Sequence, residues 1–189
     1  MNERILLVDE QDRVIGFSDK MTAHREKLRH RAFSIFLYDG YTKRLLLQQR
    51  AKGKYHSGGL WTNACCSHPR EGEKIEDCLN QRLYEELGLK TDFHIADPCS
   101  DFAERPDLIY PCGMFSYFAD FGDVSENEID HVFLYNLAEQ TDFACDKDEV
   151  AALRWVTIAE LCRWMAQEPQ VFTVWFQPAL ELVLSQLER

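Results

Sequence analysis

Residues 75 to 89 read IEDCLNQRLYEELGL, and Ile75, Leu79, Leu83 and Leu87 recur every fourth residue. That spacing lines apolar side chains along one face of a helix, and Gly88 supplies the residue type on which helices stop. Glu73, Glu76 and Asp77 fall in the predicted first turn, where acids meet the positive end of the helix dipole. A helix with one apolar stripe has to lay it on another element. The segments around it are strand-like. RILLVD and RVIGFS are short strands, and MTAHREKLRH after them is a mixed charged stretch. RAFSIFLYD carries apolar and aromatic residues on both faces, as a buried central strand does. KRLLLQQR is its hairpin partner across GYT. Downstream, IYPCGMFSYFADF, IDHVFLYNLA and VAALRWV read as strands, and IAELCRWMAQ and FQPALELVLSQLE as amphipathic helices. Strands outnumber helices in mixed order, which predicts an α/β (α+β) domain with a mixed sheet flanked by helices. No repeat, low-complexity tract or linker divides the 189 residues, so one domain over 1–189 is expected.

The formal charge of −11 argues against a general nucleic-acid or anionic-membrane binder. A local cluster of Lys and Arg can still hold a small anion. No apolar run reaches the length of a membrane span. The opening MNERILLVDEQDR turns polar too early for a signal peptide. A cytoplasmic chain with reduced thiols is expected, and its clustered cysteines point to a metal or to catalysis before disulfides.

The densest chemistry is WTNACCSHPREGE, residues 61 to 73. If residues 64 to 68 are extended, side chains alternate between faces, so Cys66 and His68 share one face and Cys65 turns to the other. The plainer alternative makes both thiols buried filler. Glu126 and Glu128, two apart, share a face of an extended segment. They pair to bind a divalent metal or share a proton, or they are simply solvated. His24 and His30 flank the charged stretch before the central strand. Three histidines and two glutamates beside strands suit Mn, Fe or Zn better than the all-oxygen sites of Ca or Mg. Lys20, Arg50, Lys54 and Arg82 are candidates for an anion clamp, with surface cations as the default. Lys54 lies in AKGKYHSGG, a flexible basic loop whose N–H groups suit phosphate. Glu86 borders the apolar stripe and needs a cation, either Arg82 one turn earlier or a metal. Trp61 lines a pocket or sits in the core. His56, His94 and His131 read as structural or solvated.

GEKIEDCLNQRLYEELGL resembles the Nudix box, with Glu73, Leu83, Glu85, Glu86, Gly88 and Leu89 matching. Ser67, Gln81 and Arg82 depart from it; the last puts a positive charge where the hydrolases keep a metal-binding glutamate. The wider pattern is similar to the type I isopentenyl-diphosphate isomerases of the Nudix superfamily. It runs in order from residue 20 to 175 through KMTAHREKLRHRAFS, QQRAKGKYHSGGLWTNACCSHPREGE, RLYEELG, SENE and FTVWF. The resemblance implies a Nudix-like core over about residues 30–160 and a 1,3-proton shift between isopentenyl and dimethylallyl diphosphate. It implies Cys66 and Glu128 as catalytic acid and base, assisted by Tyr117. His24, His30, His68, Glu126 and Glu128 would hold one Mn2+, Zn2+ or Mg2+, and Glu86 a Mg2+ carried with the substrate diphosphate. Lys20, Arg50, Lys54 and Arg82 would contact the diphosphate, and Trp175 the hydrocarbon tail. The partner implied is a small isoprenoid diphosphate, with no nucleic acid and no membrane span, in a monomer or homodimer. A Nudix pyrophosphohydrolase and a non-catalytic metal-binding module are the rivals.

Overall fold

A computed structural model describes residues 4–189; the first three residues of the opening polar segment, and of the expected 1–189 domain, lie outside it. The chain runs β1 (Arg4–Val8), β2 (Val14–Asp19), α1 (Lys20–Arg25), β3 (His30–Asp39), β4 (Arg44–Arg50), β5 (Trp61–Thr62), β6 (Cys65–Ser67) and α2 (Ile75–Leu87). It continues through β7 (His94–Ile95), β8 (Leu108–Asp120), β9 (Ser125–Asn136), β10 (Val150–Thr157), α3 (Ile158–Gln167) and α4 (Phe176–Leu187).

The sheet is mixed, in the order β10-β4-β3-β9-β8-β7. β3 and β9 pair in parallel, and β9 pairs antiparallel with β8. The expected hairpin between β3 and β4 is short, joined only at Leu37–Asp39. β3 instead takes β6 at Phe33–Ile35, and β4 takes β5 at Gln48 and Gln49. The two strands therefore splay, and the WTNACCS segment fills the wedge between them. Two-residue β5 and three-residue β6 carry too short a pattern to be read from sequence.

Each sheet face has its own core. α2 lays Leu79, Leu83 and Leu87 on Phe33, Ile35 and Leu37 of β3, with Cys65 among them. On the other face Phe176, Ala179, Leu180 and Val183 of α4 and Leu161 of α3 cover Phe36, Leu47, Val132 and Leu134. β3 feeds both cores, odd residues to one and even to the other, as its two-sided apolar pattern requires. Two local expectations shift. Glu73 precedes α2, whose first turn holds Glu76 and Asp77, and accepts the Arg70 amide instead. The charged stretch yields α1, capped by the Asp19 carboxylate accepting from Thr22 N at 2.9 Å. Among the described residues no helix is long and apolar enough to cross a membrane.

α2 ends as expected on Gly88 at φ 71°, with Leu89 N donating to Leu83 O at 3.3 Å. A Cβ there would stand 2.7 Å from Ala144 Cβ and 2.9 Å from Ala144 O. Ala144 cannot retreat freely, because its amide donates to Leu87 O at 3.0 Å. Gly88→Ala should therefore lower the unfolding free energy by about 1–3 kcal/mol. The check is urea unfolding, where the midpoint should fall at constant slope; an unchanged midpoint contradicts this cap.

Candidate active site

The parallel register sets His30 of β3 opposite Glu128 of β9, and the antiparallel one sets Tyr117 of β8 opposite the same Glu128. One row across three strands thus carries three chemical groups. Alternation along β9 puts Glu126 and Asp130 on the same face. α1 delivers His24, and Ser125 Oγ donates to His24 O at 3.1 Å, fastening the helix to the start of β9. β6 pairs Cys66 with Ser34 and delivers His68 just beyond its end. Tyr117, Glu126, Glu128, Asp130, Cys66 and His68 line one cavity, and His24 and His30 lie fully buried beside it.

Cys66 faces this cavity and Cys65 is buried in the core beneath α2, as alternation predicts. Tyr117 Oη donates to Glu128 Oε2 at 2.6 Å. Lys20, Arg50, Lys54, Arg82, Glu86 and Trp175 all reach the same cavity. Arg50 sits over the Trp175 ring at 5.4 Å and directs Nη1 at Cys66 Sγ, 3.9 Å away. Lys54 pairs with Glu149, a lining carboxylate not anticipated from sequence. Arg82 binds both Glu85 and Glu86, the latter at 2.7 Å. The near neighbour is thus the cation that Glu86 finds, and the metal expected there competes with it.

His24, His30, His68, Glu126 and Glu128 each offer one ligand atom, all within 4.8 Å of one another and all buried. The hydrogen bonds around them test whether an ion fits. His24 Nδ1 lies 2.6 Å from Lys20 O and His30 Nδ1 lies 2.8 Å from Leu28 O. A carbonyl only accepts, so both Nδ1 atoms carry the proton and Nε2 turns its lone pair inward. Nε2 of His30 and of His68 then converge on Glu128 Oε1 at 3.2 and 2.8 Å. Glu126 Oε2 lies 3.2 Å from His24 Nε2 yet accepts no hydrogen bond. Lone pairs crowding one buried point repel unless a cation stands among them. The donor set therefore fits a divalent ion, and three nitrogens with two carboxylates suit a first-row metal.

Without a metal, protons take that place. Burial disfavours charge on His30, but the Glu126 and Glu128 carboxylates beside its Nε2 outweigh it and lift the ring to about 10. Burial and the Glu126 charge raise Glu128 to about 8. Burial raises Glu126 as well, but the imidazoles of His24, His30 and His56 around it hold it well below the usual range. Burial, helped by Lys20 and His30, keeps His68 neutral. Burial, with Glu86 and Asp130 adding to it against Arg50, pushes the metal-free Cys66 thiol up to about 12.

Some functional neighbours escaped the sequence. His56, expected to be structural or solvated, is buried in the cavity wall, touching Glu126 Oε1. Tyr55 Oη lies 3.3 Å from His24 Nε2. The AKGKYHSGG loop is therefore anchored inward at two points. Asp130 is buried, held by Ser34 Oγ at 2.8 Å and raised by burial to about 7. Its signal was present: it continues the Glu126, Glu128 alternation by one step. Trp61 does not line the cavity; it packs on Trp164 at 5.4 Å beside the α3–α4 core. His131 leaves the site for Asp12, at 2.8 Å.

Comparison with known proteins bears on this site. Residues 28–176 match the NUDIX domain family. The chain is similar to the isopentenyl-diphosphate Delta-isomerase of Burkholderia multivorans, 45% identical over 96% of this chain and 93% of that one. It is 40% identical to the enzyme of the same name from Photobacterium profundum, over 99% and 97%. Among solved structures, a Deinococcus radiodurans protein superposes with TM-score 0.64 at 18% identity, covering 87% of this chain and 90% of that one. A MutT NUDIX hydrolase from Burkholderia pseudomallei gives TM-score 0.58 at 20% identity, covering 82% and 98%. The solved structures establish the Nudix fold, mixed sheet between helices.

Two outcomes follow from the protonation pattern. A divalent ion binding the cluster would displace protons from His30 and Glu128, so affinity for Mn2+ or Zn2+ should rise with pH, by up to about a hundredfold per unit below about 8, where both protons are released, and by about tenfold per unit from there to about 10. Calorimetry in two buffers of different ionisation enthalpy reads that release, and Glu126→Gln should abolish tight uptake. Because the Cys66 thiol is protonated until about 12, its alkylation should accelerate about tenfold per pH unit across the neutral to mildly alkaline range. Peptide mapping after iodoacetamide reads residue 66 alone; a rate that levels off near neutrality contradicts the raised thiol.

Proposed function

The chain belongs to the NUDIX family and, within it, to the isopentenyl-diphosphate Delta-isomerases, and from that premise we propose how its cavity works. The enzyme interconverts isopentenyl and dimethylallyl diphosphate. One proton adds to the terminal carbon of the alkene, a tertiary carbocation forms, and one proton leaves the carbon on its other side. Two groups are needed, one to give and one to take. The observation that carries the assignment is that Cys66 and Glu128 line a single cavity.

In this reading Lys20, Arg50, Lys54 and Arg82 hold the diphosphate, so that it stays bound and does not leave. Lys54 exchanges Glu149 for the substrate. Trp175, which packs against Tyr117 at 6.2 Å, turns its ring toward the hydrocarbon. A ring face stabilises a nearby cation by about 0.5–2 kcal/mol, more where water is excluded. Glu128 exchanges one proton with the substrate while Tyr117 fixes its outer oxygen. Cys66, from the neighbouring strand β6, exchanges the other; the reverse reaction swaps the two roles. A divalent ion held by His24, His30, His68, Glu126 and Glu128 supplies positive charge that fixes the Glu128 carboxylate. Mn2+, Zn2+ or Mg2+ is proposed there, with Mg2+ accompanying the diphosphate near Glu86. The proposed setting is the cytoplasm, with residues 1–189 acting as one domain, monomer or homodimer, on a small isoprenoid diphosphate and no nucleic acid.

The hydrolase reading loses support at Arg82. A pyrophosphohydrolase uses the carboxylates of this helix for metal, and here a guanidinium occupies Glu85 and Glu86. Incubation with isopentenyl diphosphate in heavy water should give deuterated dimethylallyl product by NMR and no phosphate release. Cys66→Ala and Glu128→Gln should each lower turnover by about 10²–10⁴-fold. Cys66→Ala should keep its bound metal; phosphate release without deuterium exchange would overturn the isomerase mechanism.

A further inference from the structure

We propose that His56 is a positioning residue. It holds the outer oxygen of Glu126 so that the other oxygen faces the cation, and it thereby ties the Lys54 loop to the metal cluster. This rests on the metal reading of the His/Glu cluster. Glu126 presents its two oxygens differently. Oε1 is taken by His56 Nε2, while Oε2 points among the histidines and accepts no hydrogen bond. A carboxylate that binds a metal through one oxygen needs a donor on the other to stop it rotating. His56 is built for that task. It is 7% exposed, its ring stacks on Phe121 at 4.7 Å and 15°, and it meets the edge of Trp175 at 5.8 Å. Its Nδ1 lies 3.2 Å from Ser57 Oγ, so the ring has a partner at each nitrogen. Its carbonyl accepts from Arg50 Nη2 at 3.4 Å.

The placement has a second consequence. His56 lies two residues from Lys54, in a segment with no helix or strand of its own. The contact with Glu126 ties this loop to the cluster, beside Tyr55 on His24, while Lys54 on Glu149 holds it from another side. Filling the cluster orients Glu126, and through His56 it holds the loop that carries a diphosphate contact.

The experiment uses the full chain and two variants. H56F keeps the aromatic stack and removes the donor; H56Q restores a donor near the position of Nε2. Metal-free folding is first matched by circular dichroism. Mn2+ and Zn2+ affinities are then measured by chelator competition, and trypsin cleavage after Lys52 and Lys54 is timed with and without metal. H56F should bind metal about 10–100-fold more weakly, H56Q should recover most of that loss, and metal should slow loop cleavage in wild type and H56Q but not in H56F. Equal affinities for wild type and H56F, or a loss in H56Q as large as in H56F, overturn the positioning role. Wild-type chain that takes up neither ion overturns the metal reading itself.

Discussion

The parallel pairing of β3 with β9 is the constraint on which the site depends. It fixes His30 opposite Glu128, and the antiparallel partner β8 then places Tyr117 on the far side of the same carboxylate. Parallel strands need a crossover, and here the crossover carries the basic loop, the thiol, His68 and α2, while Lys20, His24, Glu149 and Trp175 come from outside it. A slip of one residue in that register would send His30 to the opposite face and scatter the row. The two cores prevent the slip, because β3 is apolar on both faces and each face already has its helices.

Burial then sets the electrostatics. Three imidazoles and two buried carboxylates are unfavourable as a bare set, since burial leaves their lone pairs poorly screened. Protons or a metal relieve this, and both are positive. The same burial raises the Cys66 thiol and Asp130. In a surrounding that resists charge, the carbocation of the proposed reaction survives only beside an aromatic face or a carboxylate, and excluding water belongs to that proposal as much as the acid and base do.

How much of this the sequence displayed depended on range. α2 was legible because its period, first-turn acids and terminal glycine are contained in fifteen residues. α1 was not, because six residues cannot show a period; its cap, Asp19, is visible only once the helix is known. Cys66 and Cys65 were separable by strand alternation alone. The three histidines and two glutamates were visible as a candidate metal set, but only the family pattern joined them into one site, since they lie up to 104 positions apart, from His24 to Glu128, and are assembled by β-register. His56 was missed for a related reason: its loop has no repeating pattern, and its path is set by contacts with Phe121, Trp175 and Glu126.

The departures within the Nudix box carry the sharpest functional lesson. The fold is shared with hydrolases, so fold alone selects no reaction. What differs is where charge is spent along α2. Arg82 stands one turn before Glu86, its half-buried guanidinium paired with Glu85 and Glu86 and its own charge stabilised by them. Carboxylates bound in that way are poorer at gathering several metal ions around a scissile phosphate. Arg82 meanwhile lines the cavity as a cation that can hold the phosphate without attacking it. In the proposed mechanism this one departure on one helix face disfavours cleavage and favours retention, and the reactive roles fall to the sulfur and carboxylate on the strands behind it.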